Sequence, residues 1–282
     1  MRILVACFSG TGNTRLVGEA ILEELKQHGY TGEAGSVERV DPSGVDAHVL
    51  GVGFPSYGLC YPRILEPFFA GLKKRETPVP AFVFSTHAWS SGDSLTCAAE
   101  KLREKNYMTI ARQSFKCPSN GARTFFSPDH FMHRKMVRFE EGLPQKIGEF
   151  ADRIHQGVEA FRKDPFHDPG RKRWINEITG FVATHLMENR LYKDFRVIKT
   201  RCIGCGRCVK ECPDDNLQMR DGKAEFLRGN DCLRCMRCIG ICPVNAILFG
   251  ERSRGKGRYT PAFRDELFQE AMKNPGQKPR SE

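Results

Sequence analysis

Tryptophan is scarce, at two residues in 282, and no apolar run approaches the roughly 20 residues a helix needs to cross a bilayer. A transmembrane span is therefore not expected. The opening stretch MRILVACFSG is too short in its apolar part, and too soon followed by Gly and Asn, to act as a secretory signal. It reads as a first strand, and a cytoplasmic location is expected. In such a compartment the 12 cysteines are thiols or metal ligands rather than a disulfide framework. Collagen-like and low-complexity compositions are absent too; 40% hydrophobic residues suffice for one core domain plus a smaller module.

Acidic residues are in deficit, with 34 Asp+Glu against 44 Lys+Arg. Residues 1–163 hold 21 cations against 18 acids, and residues 164–282 hold 23 against 16. A basic half invites a nucleic-acid reading, but no groove-reading motif is present. Eight of the cysteines fall in that same half.

Those eight form an internal repeat. CIGCGRCVKECPDDNLQM (202–219) aligns without gaps with CLRCMRCIGICPVNAILF (232–249), 30 residues on. Each copy reads C-x₂-C-x₂-C-x₃-C-P. Three thiolates spaced by two residues reach three corners of one cubane, and the fourth is carried to the other cluster. The spacing predicts one [4Fe–4S] cluster on Cys202, Cys205, Cys208 and Cys242, and a second on Cys232, Cys235, Cys238 and Cys212. Structural zinc prefers two C-x₂-C pairs with a longer gap and fits poorly.

The N-terminal half alternates strands and helices. Strands are predicted at residues 3–8, 33–37, 47–53, 79–85 and 107–115. Helices are predicted from Leu16 to Leu25, at about 64–74 and 94–104, and from Pro144 onward through Ile147, Phe150, Ala151, Ile154, Val158 and Phe161. The first strand runs into Ser9-Gly10-Thr11-Gly12-Asn13-Thr14, where backbone N–H groups and a helix N-terminus meet at one point, a site suited to a terminal phosphate. No G-K-[ST] follows, which excludes a Walker A loop, and Arg15 stands where a dinucleotide fingerprint has its third glycine. A tight structural turn is the alternative.

Pro55, Ser56, Tyr57 and Gly58 follow the third predicted strand; Thr86, His87, Trp89, Ser90, Gly92 and Asp93 follow the fourth. Each loop offers small residues and one large aromatic. Tyr57 and Trp89 are ring contacts or simply pack on their own loops. His87 is a donor or a satisfied loop histidine, and Asp93 is a cap for the next helix. Cys60 is a neighbour of the bound ring or, as is commoner, a small buried residue, and Cys7, Cys97 and Cys117 are expected to be structural.

On these motifs residues 197–250 resemble bacterial two-cluster ferredoxins, although Arg201, Arg207, Lys210, Arg234 and Arg237 replace the usual acidic surroundings. Residues 1–162 resemble the flavodoxin family. The whole chain is similar to fused flavodoxin–ferredoxin proteins of anaerobic bacteria and archaea. The resemblance implies a doubly wound parallel sheet of order 2-1-3-4-5 followed by an α+β two-cluster module. It also implies FMN, with its phosphate on Ser9, Thr11, Gly12, Asn13 and Thr14 and its ring between the second and third loops. The expected domains are 1–163, a linker 164–196, the ferredoxin module 197–250 and a basic tail 251–282.

FMN and the clusters exchange electrons in different numbers, so two functions follow. One is a carrier between redox proteins. The other is an oxidoreductase in which FMN reduces a small acceptor and the clusters supply electrons; an open pocket under residues 117–135 and Tyr57 would favour it. The basic residues, with Arg252, Arg254, Lys256 and Arg258, point to acidic-faced, ferredoxin-like redox partners. Two oxidised cubanes and a phosphate would bring the charge to about +4, which removes the nucleic-acid reading. Trp174, Ile178, Phe181, Val182 and Leu186 share a helical face that docks on the rest of the protein or, given its basic flanks, touches a membrane surface. With the two chemistries on separate modules, damage to a cluster is expected to leave FMN bound.

Overall fold

Strands buried on both faces need helices above and below, and the chain supplies them. In the computed structural model, which describes residues 1–57, 59–88, 90–118, 142–165, 195–227 and 232–255, β1 (Arg2–Cys7), β3 (Val49–Pro55) and β4 (Val79–His87) form the centre of a parallel sheet. β2 (Thr31–Ser36) and β5 (Tyr107–Lys116) flank them. The order β2-β1-β3-β4-β5 is the flavodoxin-like one. Every predicted strand is present.

One face of the sheet is covered by α1 (Asn13–Gln27) and α4 (Leu143–Phe161). Leu16, Val17, Ala20, Ile21 and Leu25 of α1 are buried there, with Ile147, Phe150, Ala151, Ile154 and Val158 of α4. Phe161, the last position of the expected stripe, is only half-buried because the helix ends there. Phe150 is 0% exposed and meets Phe82 and Phe115 edge-on at 6.1 and 5.8 Å. Burying such a side chain is worth about 1.5–3 kcal/mol. The opposite face is covered by α2 (Leu65–Gly71) and α3 (Ser94–Glu104), with Phe54, Phe68, Phe69 and Leu102 in its core.

The cysteine repeat builds a second, smaller unit. β6 (Phe195–Val197) pairs antiparallel with β9 (Ile247–Phe249), and β7 (Leu217–Arg220) with β8 (Lys223–Phe226). One-turn helices α5 (Arg207–Lys210) and α6 (Arg237–Ile241) occupy equivalent places in the two copies. Its core joins Leu217, Ala224, Met236, Ile239, Ile247 and Phe249.

The boundary expected at residue 250 falls inside a closed turn. Ser253, 7% exposed in a short 3₁₀ turn (Glu251–Ser253), accepts the Phe249 N–H at 2.9 Å and donates to the Gly250 carbonyl at 2.8 Å. The expected linker helix, most of the 117–142 segment and the tail beyond residue 255 lie outside the described residues. No helix among the described residues is long and apolar enough to cross a membrane.

Candidate functional site

The loops after β1, β3 and β4 converge at the carboxyl edge of the sheet. Gly12, at φ +105°, turns the chain from β1 into α1, a left-handed conformation that glycine adopts without penalty. Its N–H donates to Ser9 Oγ at 3.1 Å. The helical ladder begins with Leu16 N–H on the Gly12 carbonyl at 3.0 Å, so the first-turn N–H groups lie ahead of it, the arrangement that receives anions.

Two side chains of the loop brace it from within. Asn13 Nδ2 donates to the Pro118 carbonyl at 3.2 Å, and Thr14 Oγ1 shares a hydrogen bond with Thr86 Oγ1 at 2.8 Å. Thr14 is 1% exposed, and the bond pins the phosphate loop to the end of β4.

Ser56 closes the second loop onto the third: its N–H donates to the Thr86 carbonyl at 2.9 Å, and its hydroxyl meets Ser94 Oγ at 2.9 Å. Tyr57 and Cys60 exchange backbone hydrogen bonds in a tight turn. Cys60, expected to be buried, is exposed, because that turn projects from the sheet edge. Asp93 stands at the N-cap position of α3 but makes no capping bond with its side chain, contrary to expectation. Gly58 and Trp89 lie outside the described residues.

His87 Nδ1 is buried with no partner among the described residues, an orphan polar atom at the mouth of the third loop. Burial, and then the charge of Lys116, hold its pKa below the ordinary value, so the ring is neutral near pH 7. The orphan nitrogen and the loop N–H groups fit a polar ligand with a terminal phosphate.

In the smaller unit, Cys202, Cys205, Cys208 and Cys242 line one cavity with Ile203, Gly206, Ala224 and Ile247. Cys242, the fourth cysteine of the second copy, thus shares a cavity with the first triplet. Cys212 correspondingly lies within electrostatic reach of Cys232, Cys235 and Cys238. Burial, reinforced by neighbouring thiolates, raises Cys208, Cys232 and Cys238 and pushes Cys235 up to about 12. Cys202 is lowered: burial opposes its charge, but the Ala224 and Gly204 N–H groups and Lys223 and Lys199 outweigh it.

Thiols gathered this way ionise when a cationic core shares the charge. Further N–H groups await the sulfurs, from Asn216 to Cys212 at 3.3 Å, Arg234 to Cys232 at 3.3 Å and Ala246 to Cys242 at 3.2 Å. Such bonds tune an iron–sulfur centre, and the donor set fits one. Among the described residues, no three His, Cys, Asp or Glu groups converge on a single-ion site.

The two sites touch. A Cβ at Gly10 would collide with the Cys235 carbonyl and stand 3.1 Å from Tyr57 Oη. Leu233 and Cys235, 8% exposed each, belong to the same apolar core as Phe8, Val37 and Phe54. Arg63 donates to Asp214 Oδ2 at 2.6 Å, and that oxygen also accepts the Leu233 N–H at 3.2 Å. A cavity of about 540 Å³ opens on residues 9–12 between the units, edged by Arg15, Arg39, Lys210 and Arg237 and by Glu19, Glu38 and Glu211.

Glu38, Arg63 and Asp214 carry no sequence signal, since each is an ordinary surface charge until the units are assembled; Arg237, counted in the sequence among the basic residues that meet a partner, is instead turned inward onto Glu38. Gly10 did carry one: a glycine where backbone comes close. The backbone turns out to be that of Cys235.

Comparison with known proteins agrees on the smaller unit. Residues 195–251 match the 4Fe-4S dicluster domain. A ferredoxin of Methanothermococcus thermolithotrophicus is 34% identical over 53 residues, which are 18% of this chain and 88% of that protein. One of Thermococcus litoralis is 42% identical over 52 residues, again 18% and 88%. The archaeal-type glutamate synthase [NADPH] of Dehalococcoides mccartyi is 30% identical over 78 residues, 26% of this chain; the chain spans only 16% of that relative's length. The solution structure of two-electron reduced Megasphaera elsdenii flavodoxin covers 40% of this chain and 85% of its own at 22% identity, with a TM-score of 0.36. The fold assignment rests on the strand order instead.

Proposed function

As a flavodoxin–ferredoxin fusion whose residues 195–251 belong to the 4Fe-4S dicluster family, the chain is, we propose, an electron carrier holding two [4Fe–4S] clusters and one FMN. The contact between Gly10 and Cys235 carries this reading, because it sets the second cysteine segment against the flavin-phosphate loop. FMN supplies chemistry in one or two electrons, each cluster in one. Backbone N–H groups of residues 10–14 take the phosphate, with Thr11 beside them. Asn13, Thr14 and Thr86 hold that loop, and Ser56, Tyr57, His87, Ser90 and Gly92 border the ring. Cys202, Cys205, Cys208 and Cys242 hold one cluster; Cys232, Cys235, Cys238 and Cys212 hold the other.

Partners meet the first copy. Ile203 is 62% exposed, Cys205 is exposed, and exposed Arg201 and Arg207 flank them in the chain. The apolar tip and basic rim suit a redox protein with an acidic face, and such complementarity raises the association rate in a salt-sensitive way.

The test is anaerobic purification of the full chain. About eight irons per chain and one acid-released FMN are expected, as is reduction by an acidic ferredoxin that slows as salt rises toward about 0.5 M. Zinc in place of iron, or no retained flavin, overturns the cofactor assignment; a rate indifferent to salt overturns the partner assignment.

A further inference from the structure

Arg237 lies between two cysteines of the second triplet, yet its guanidinium points out of the cysteine unit. Nη1 and Nη2 pair with the Glu38 carboxylate at 2.7 and 2.9 Å, and Nη2 also donates to the Ser9 carbonyl at 2.9 Å. Nη1 reaches the Glu211 carbonyl at 3.2 Å, and the guanidinium carbon stands 5.6 Å from the centre of the Phe8 ring. Both side chains of the pair are largely buried, at 16% and 19% exposure. One side chain thus grips the end of β1, the loop after β2 and the first residue of the anion loop, while the Cys235 carbonyl fills the space beside Gly10.

Burial alone would raise the Glu38 pKa, but hydrogen bonds from Arg237 and Ser36 and the charges of Arg237 and Arg39 bring it below the ordinary carboxylate value. Arg207, the counterpart in the first copy, is exposed.

We propose that Arg237 is a positioning residue for the anion loop: through Ser9 and Glu38 it makes the second cysteine segment the outer wall of residues 9–14, so that filling of the second cysteine set and binding of a phosphate-bearing ligand at the loop reinforce one another. The first set stands outside this coupling. Linkage requires the effect to be reciprocal. The proposal rests on the reading that the loop takes the FMN phosphate.

The test uses the full chain, anaerobic and with iron content monitored, as wild type and as Arg237→Gln, Glu38→Gln and Glu38→Asp. Hydrogen exchange of the amides of residues 9–14 is measured without flavin, and affinities are measured for FMN and riboflavin. Loss of a largely buried ion pair and one backbone contact should speed loop exchange and weaken FMN about three- to tenfold. Riboflavin, which lacks the phosphate, should be unaffected, and Glu38→Asp should recover part of the loss. If Arg237→Gln loses iron, Glu38→Gln decides, since Glu38 lies in the other unit.

Unchanged loop exchange and FMN affinity in Glu38→Gln overturn the positioning role and leave the phosphate reading standing. Faster loop exchange, with wild type binding FMN and riboflavin equally, overturns the phosphate reading and, with it, the coupling to ligand.

Discussion

The two copies of the cysteine repeat share their spacing and their backbone but not their surroundings. Gly204 and Gly206 in the first copy have φ of +72° and +68°; Arg234 and Met236, at the same places in the second, have +58° and +62°. The chain therefore follows one path twice, and in the second copy it does so with side chains that oppose it, at a cost of about 1–2 kcal/mol each. Burial offsets this. Ile203 is 62% exposed and its counterpart Leu233 8%; Cys205 is exposed and Cys235 buried. The triplet of the first copy faces solvent, and the triplet of the second lies against the flavodoxin-like unit. The cysteine spacing is the same in both copies, and the residues between the cysteines decide what each triplet is near.

The most severe way to break the comparison is to remove the ligands that the copies exchange. Cys242→Ala and Cys212→Ala should each lower iron from about eight to about four per chain. The spectrum of Cys242→Ala should superimpose on that of Cys205→Ala, and that of Cys212→Ala on that of Cys235→Ala. Circular dichroism in the visible region checks this directly. If Cys242→Ala instead resembles Cys235→Ala, each copy keeps its own four ligands and the crossing is wrong.

The cysteine repeat and the strand order were legible in the sequence because both depend on local pattern. Cysteine spacing fixes which sulfurs can share a cubane, and alternation of apolar runs with helical stripes such as Ile147, Phe150 and Ile154 fixes a doubly wound sheet. The glycine loop was legible as a turn, but the partners of its side chains were not. Nothing near Asn13 and Thr14 in the chain announces Pro118 and Thr86 as their partners.

The contact between the units had no pattern to read. Arg237 and Glu38 stand 199 residues apart, and nothing local distinguishes Arg237 from Arg207. The coupling proposed above runs against the expectation that FMN and clusters behave independently, and it does so only for the second copy, the one that meets the anion loop.

A smaller effect sharpens the difference in burial. Leu233→Ala removes a side chain packed in the core shared with Phe8 and Phe54 and should cost about 2–4 kcal/mol. Ile203→Ala, in solvent, should change stability by no more than about 0.5 kcal/mol. Denaturant unfolding of the loaded protein measures both. Equal losses would mean that the second copy is no better packed than the first, and the contact between the units would lose its energetic basis.

The smallest effect isolates the backbone. Gly206 has φ +68°, and a Cβ there would meet no atom within 4 Å, so the conformation itself is the whole penalty for a larger residue. Gly206→Ala and Gly206→Met should therefore each cost about 1–2 kcal/mol and by the same amount, because the left-handed clash arises at Cβ and not further out. Iron content should stay at the wild-type level, since Met236 occupies the equivalent place without displacing Cys235 or Cys238. The reverse change separates strain from packing. Met236→Gly relieves the same backbone term but empties a position that is only 7% exposed. A buried Met truncated that far forfeits about 2–5 kcal/mol, so the net result is destabilisation. A stabilised Met236→Gly would show that strain in the second copy outweighs its burial, reversing the balance inferred from the two environments.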